Sequence, residues 1–229
     1  MLTHVFVPRG TTDMLIVHDS NADGQMAGPA WLPRCRCRSL RVRPGVAYRG
    51  SCARRRAGDG YRGTVTWEPM ALVIETDRLT LRIRDERDAE WYRELVGERG
   101  EDVPTLEESR ARLARFRDLT METGIGALAI CRRAEGDTIG YCALIVGRAS
   151  LDEPEVAFEL LQRFHGHGYA TEAAQALVLA AAATGRRRLW STVGAWNAPS
   201  LRVLEKIGFR RDHSVTDDRG EVVYLVRDL

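Results

Sequence analysis

Lysine is almost absent from the 229 residues: Lys206 stands alone against 33 arginines. That bias marks a GC-rich coding sequence, in which open frames upstream of a true start are common. Long apolar runs are missing too. The most apolar stretch, Ala173 to Ala183, is broken by Gln175 and falls well short of the ~18–20 residues that span a bilayer. The opening MLTHVFVPRG meets Pro8 and Arg9 before it can form the apolar run of a signal peptide. Cysteine is sparse and odd in number, with Cys35, Cys37 and Cys52 early and Cys131 and Cys142 in strand-like runs. Neither a disulfide framework nor a zinc-knuckle spacing results. The expectation is a reduced, cytoplasmic protein with no membrane partner.

Charge of one sign is also lacking, since 34 basic residues face 32 acidic ones. The balance conceals a division: residues 1–69 carry a net +6 and residues 70–229 a net −4. Uniformly basic nucleic-acid binders are therefore disfavoured, and nucleic acid is not the expected partner. Residues 1–69 show no sustained period of either kind. Gly, Pro and Arg dominate them, as in PRCRCRSLRVRPG, with too little apolar surface to offset the entropy of ordering. Three readings stay open for this segment: a basic arm for RNA or the ribosome, an ordinary disordered tail, or an upstream extension of a chain that starts at Met70.

From Met70 onward the pattern is regular. Arg78–Arg84 alternates, with Leu79, Leu81 and Ile83 on one face of a half-buried strand. Asp85 and Asp88 introduce an amphipathic helix, and Thr105-x-x-Glu108 forms a capping box for the next. Strands are expected at Ala127–Arg133, Thr138–Val146 and Glu155–Gln162, then a loop from His165 to Gly168 and a helix over Tyr169–Thr184. A fifth strand, Arg187–Trp196, a short helix, Pro199–Ile207, and a hairpin of Phe209–Val215 with Glu221–Arg227 complete the chain. Consecutive strands imply an antiparallel meander, and strand–helix–strand implies a parallel crossover. The expected fold is therefore mixed α/β, with a mostly antiparallel sheet of six to seven strands and helices on both faces.

Chemistry concentrates in FELLQRFHGHGYATEA, Phe158 to Ala173. A strand runs into a loop with Gly166 and Gly168, then into an alanine-rich helix. The glycines permit positive φ and close backbone approach. Unpaired N–H groups at the helix start, with the positive end of the dipole behind them, form a site for phosphate or pyrophosphate. Thr171 stands where a dinucleotide fingerprint needs Gly or Ala, and the loop has no Walker lysine. Arg163-x-x-Gly166-x-Gly168 remains.

This spacing resembles the acyl-CoA signature of the GNAT acetyltransferases. IETDRLTLR (Ile74–Arg82), TIGYCALI (Thr138–Ile145), GHGYATEAAQALV (Gly166–Val178) and NAPSLRVLEKIGF (Asn197–Phe209) follow in the order of its ribosomal-protein N-terminal acetyltransferase (Rim) branch. The resemblance covers about residues 72–229. It implies a sheet splayed between the fourth and fifth of the expected strands, with the acetyl-CoA arm pairing with Phe158, Leu160 and Leu161. Pyrophosphate would meet Arg163, His165, Gly166, His167, Gly168, Tyr169 and Ala170. Asn197 would meet the cofactor arm, and Ser200 would protonate the departing thiolate; the plainer role of both is capping the helix that follows. An amide near Leu160 would polarise the thioester carbonyl.

The family usually has an aromatic where His165 stands, and often Lys or Arg at His167. No third ligand has a suitable spacing to these histidines, so no metal is expected. A general base is sought among carboxylates on the strand entering the loop. Glu155 is the candidate, with Glu159 on the same face; the plainer reading of each is an exposed strand carboxylate. The implied activity is acetyl transfer from acetyl-CoA to a primary amine, a protein N-terminus or a small molecule, by a monomer or homodimer. The competing reading is a non-catalytic CoA-sensing or RNA-associated module using the arginine-rich arm.

Overall fold

A computed structural model describes residues 67–217 and 220–229. Along these, β1 (Val73–Glu75) and β2 (Leu79–Ile83) precede α1 (Ala89–Glu98) and α2 (Leu106–Thr123). Next come β3 (Ala127–Arg132), β4 (Thr138–Ile145) and β5 (Glu155–Leu160), then α3 (Tyr169–Ala183). The chain closes with β6 (Arg188–Gly194), α4 (Ala198–Lys206), β7 (Arg210–Asp217) and β8 (Gly220–Asp228). The expected readings of residues 1–66 lie outside the described residues.

Local rules explain where the elements start. Asp85 and Asp88 satisfy each other's backbone ahead of α1, and Thr105 and Glu108 do the same for α2, both as reciprocal capping boxes. Gly124, at φ +73, ends α2 in the left-handed conformation that glycine tolerates. The strands form one sheet in the order β1-β2-β3-β4-β5-β6-β8-β7. Every neighbouring pair is antiparallel except β5 with β6. The expected meander and crossover are both present. Leu79, Leu81, Leu128, Ile130, Leu144, Val156, Leu177 and Val178 are fully enclosed in the main core.

The sheet has eight strands, one more than the pattern promised. The addition is β1, paired through Val73↔Arg82, Ile74↔Leu81 and Glu75↔Thr80. Three edge residues are too few for alternation to declare itself, and Val73 is largely exposed. Two ends also move. β5 stops at Leu160 because Gln162–Phe164 form a 3₁₀ turn. β6 stops at Gly194, whose carbonyl accepts from the Asn197 amide at 2.8 Å and turns the chain.

Trp67–Pro69, just ahead of Met70, pack onto the rest. Glu68 N–H donates to Thr184 C=O at 2.7 Å, and Trp67 Nε1 donates to Asp152 at 2.8 Å. The Trp67 ring lies 4.2 Å from the buried Arg186 guanidinium, whose charge burial disfavours and pulls down to a pKa of about 10. Arg186 otherwise bonds Leu151 C=O and Thr184 Oγ1. A desolvated cation–π contact is worth about 2 kcal/mol. Trp67→Ala is therefore expected to lower the melting midpoint of the full chain by roughly 4–8 °C. Asp152→Ala, which removes an exposed hydrogen bond and a charge near Arg186 but leaves the ring in place, should shift it by less than Trp67→Ala does; calorimetry on both variants checks the ranking.

Candidate active site

The site begins with a parallel pair that barely forms. β5 is in full register with β4 from Glu155 to Leu160, but it meets β6 only at Glu155↔Trp190. Leu161 N–H donates to Ile139 on the β4 side at 3.0 Å, while Val156 C=O accepts from Ser191 Oγ on the β6 side at 2.9 Å. Strand alternation then turns the N–H and C=O of Phe158 and the N–H of Leu160 toward the gap. His165 Nε2 sits 2.8 Å from Leu160 O at its far end. Backbone groups in this position need water or a ligand.

Beyond that gap lies the glycine loop. Gly166 and Gly168 have φ +80 and +82, a region that other residues enter only with strain. No atom lies within 4 Å of where a Gly166 side chain would begin, so the loop presents bare backbone to open space. Gly168 caps α3, whose first-turn amides and dipole point into the same volume. A brace that local sequence did not reveal holds the loop in place. Glu172 accepts from Thr76 Oγ1 at 2.6 Å, the Arg78 amide at 3.0 Å and Arg78 Nε at 2.7 Å. Arg78 also donates to His167 C=O at 3.0 Å and lies 4.7 Å from the Tyr169 ring. Its partners stand 89 to 94 residues away, which explains why spacing could not find it.

The side chains of Arg163 and His167 have partners already. Arg163 pairs with Glu94 on α1. His167 Nδ1 lies 2.8 Å from His165 O, and its ring stacks on Tyr169. Phe158, Leu160 and Leu161 are buried, so they offer backbone rather than side chain. Among the described residues no group of three or more His, Cys, Asp or Glu could hold a metal ion, and no helix is long and apolar enough to cross a membrane. At the start of α4, Asn197 Oδ1 accepts from Ser200 N–H at 3.2 Å, the capping bond of the plainer reading. Ser200 Oγ is fully buried with no hydrogen-bond partner.

Glu155 and Glu159 are not exposed strand carboxylates; both are only 4% accessible. Their covering partners are distant in sequence. Glu155 accepts from the Arg148 amide and, at 2.8 Å, from Thr192 Oγ1 on β6. Burial pushes its carboxyl above the ordinary glutamate range, and those two hydrogen bonds only partly oppose the shift. Glu159 instead forms an ion pair with Arg99, which removes it from contention as a free base. Thr192 and Arg148 belong to the site and went unnoticed in the sequence. So did Tyr224, opposite Thr192 in register, whose hydroxyl lies 3.2 Å from Arg148 and whose ring stacks on His213.

Known proteins resemble this chain in sequence and in fold. The model of the Acetyltransferase (GNAT) domain family matches residues 76–210. The uncharacterized N-acetyltransferase p20 of Bacillus licheniformis is 25% identical over 153 residues, covering 63% of this chain and 86% of that protein. The acetyltransferase of Agrobacterium tumefaciens superposes with a TM-score of 0.56 at 26% identity, over 75% of this chain and 99% of that one. RimL, a ribosomal L7/L12 α-N-protein acetyltransferase solved with coenzyme A, superposes with a TM-score of 0.61 at 18% identity, over 69% and 98%. At that identity the likeness is one of fold.

The brace gives a pH-dependent test. Burial alone would raise the Glu172 pKa, but the bonds from Thr76 and Arg78 outweigh it and hold the carboxyl below its usual value. A depressed carboxylate adds stability above its unfolded pKa and loses it as pH falls through the folded one. Glu172→Gln is therefore expected to melt lower than wild type at neutral pH, by about 1–3 kcal/mol. The two curves should converge below the ordinary glutamate range. A gap that persists unchanged into acid would contradict the assignment.

Proposed function

The chain belongs to the GNAT acetyltransferase family, and from that membership we propose that it moves the acetyl group of acetyl-CoA directly to a primary amine with both substrates bound. The observation that carries this reading is the open β5 edge running into the positive-φ glycine loop. Amides around Gly166 and Gly168 hold the pyrophosphate, with His165, His167, Tyr169 and Ala170 lining the loop and Arg163 exchanging Glu94 for phosphate. Phe158 N–H and C=O pair with the pantetheine arm in the manner of an added strand. Leu160 N–H donates to the thioester carbonyl as negative charge builds on its oxygen.

The attacking amine must be neutral. An α-amine, with an unperturbed pKa of about 7.7–8.0, loses its proton near pH 7 at a cost of only about 1–1.5 kcal/mol; a lysine side chain costs about 4.6. Glu155, raised by burial, is a stronger base than a free carboxylate and takes the amine proton directly or through water. The new C–N bond forms, the C–S bond breaks, and Ser200 Oγ gives its proton to the leaving sulfur, recovering one through water from the protonated Glu155 so that both groups are restored. Its unpartnered hydroxyl supports that role. The weak base favours an α-amine acceptor, in a cytoplasmic protein whose described cysteines, Cys131 and Cys142, are free.

Thermal unfolding with about 1 mM acetyl-CoA tests the donor site first. With a dissociation constant near 10 μM the ligand adds about 2.7 kcal/mol, a shift of roughly 5–10 °C for a domain of this size. Gly166→Glu should abolish the shift; an unshifted wild type would remove the basis of the reading. Glu155→Gln is expected to lower kcat by about 10²–10⁴-fold and to abolish the acid limb of the rate profile. Its stability effect has the opposite pH sense to that of Glu172. A raised folded pKa contributes stability that is full below the unfolded value and lost as pH rises through the folded one. The variant should therefore match wild type in acid and melt higher above the shifted pKa, while Ser200→Ala lowers kcat and leaves KM unchanged.

A further inference from the structure

Arg84 follows β2, and its amide donates to Ala127 C=O at 3.4 Å. Register extends that contact into a row, because Ala127 lies opposite Ala143 and Ala143 opposite Ala157. Opposed residues share a sheet face. Two methyl side chains, Ala127 and Ala143, therefore separate Arg84 from Ala157 in the middle of β5, over three strand spacings or about 14 Å. Ala157 is flanked on that same face by Glu155 and Glu159. The row thus joins Arg84 to the strand edge that receives the acetyl donor, with the base beside its end.

Among the described residues the guanidinium at the other end has no counter-ion. It sits 5.1 Å from the Phe116 and Tyr141 rings and 5.6 Å from Tyr92. Arg84 is 6% accessible, and its Nε is sealed without a hydrogen-bond partner. The nearby carboxylates are engaged elsewhere: Asp88 takes both terminal nitrogens of Arg82, and Glu159 takes Arg99. Among the described residues Arg84 forms no ion pair, and burial disfavours its charged form. Aromatic faces compensate an enclosed cation only in part. A position that needed nothing more than packing would be better filled by an apolar chain.

We propose that Arg84 is a specificity residue of the acceptor site, selecting a primary amine that also carries a carboxylate. This rests on the amine-acetyltransferase reading above. The carboxylate of the acceptor completes the ion pair that the fold leaves open, while its amine lies over β5 near Glu155. The source of the carboxylate is either a free amino acid or an acidic residue next to a peptide amino terminus.

The test pairs each acid with its amide. ω-Amino acids of increasing length are compared with their carboxamides, and peptides beginning Ser-Glu with peptides beginning Ser-Gln, using the full chain and acetyl-CoA. Wild type is expected to favour the acid by about 10–100-fold in kcat/KM, and the set showing the preference identifies the source. Arg84→Met should bring the ratio to about one, Arg84→Lys should restore part of it, and Arg84→Met should melt at or above the wild-type temperature. Equal or faster turnover of the amides overturns the anion site and leaves acetyl transfer standing. A lower melting point for Arg84→Met with the ratio unchanged overturns it as well, by making the arginine structural. Absence of turnover in every pair overturns both readings together.

Discussion

The parting of β5 from β6 is the constraint on which the rest of the molecule depends. Two parallel strands that could have continued together share one register position, Glu155↔Trp190, and then diverge. Every backbone group turned toward that gap forgoes a ladder hydrogen bond, a loss that interiors seldom tolerate. The surrounding structure keeps the gap open. Ser191 Oγ takes Val156 C=O at its narrow end, and His165 meets Leu160 C=O at its wide end. Between them an extended ligand can be held by main chain, so its recognition needs few side chains. The same geometry fixes the glycine loop, because a strand that ends at Leu160 delivers Gly166 and Gly168 to the start of α3.

The face of the sheet covered by α1 and α2 is rich in enclosed charge. Asp88 and Arg82 form a two-point pair that also anchors the Asp85 amide and the Trp91 indole. Arg99 and Glu159 tie the end of α1 to β5, and Glu98 adds a bond to the Gln162 amide at 2.9 Å. Buried pairs of this kind contribute little net stability, since desolvation offsets attraction. What they supply is position: α1 cannot slide without exposing an unpaired charge. Among the described residues of this set, Glu155 and Arg84 are left without an opposite charge in direct contact. They lie along one face, at either end of a row of alanines, which is where an acceptor carrying both an amine and an anion would need them.

Much of this was legible in the sequence, and what was legible is local. Capping boxes span three residues, the alternation of Leu79–Ile83 spans five, and the glycine loop announces itself by spacing alone. The antiparallel meander and the parallel crossover followed from connection rules once the elements were placed, whereas the insertion of β8 between β6 and β7 did not. The omissions share one physical cause. Glu155 and Glu159 read as surface carboxylates because their partners stand 37 and 60 residues away, and burial is a property of packing. The Arg78–Glu172 brace, across 94 residues, is invisible for the same reason. β1 failed differently, being three edge residues whose pairing with β2 comes from proximity rather than pattern.

The start of α4 shows why a structural and a chemical role need not compete for the same residues. Asn197 satisfies the helix with one atom, Oδ1, on the Ser200 amide. That bond uses the backbone of Ser200 and leaves its hydroxyl untouched. A hydroxyl enclosed without a partner is destabilising by about 1–3 kcal/mol, so alanine would cap-pack this turn at least as well. The cap therefore accounts for the asparagine and for the position of Ser200, but not for the serine itself. The oxygen without a partner is the observation on which the proposed proton transfer from Ser200 to the thioester sulfur rests.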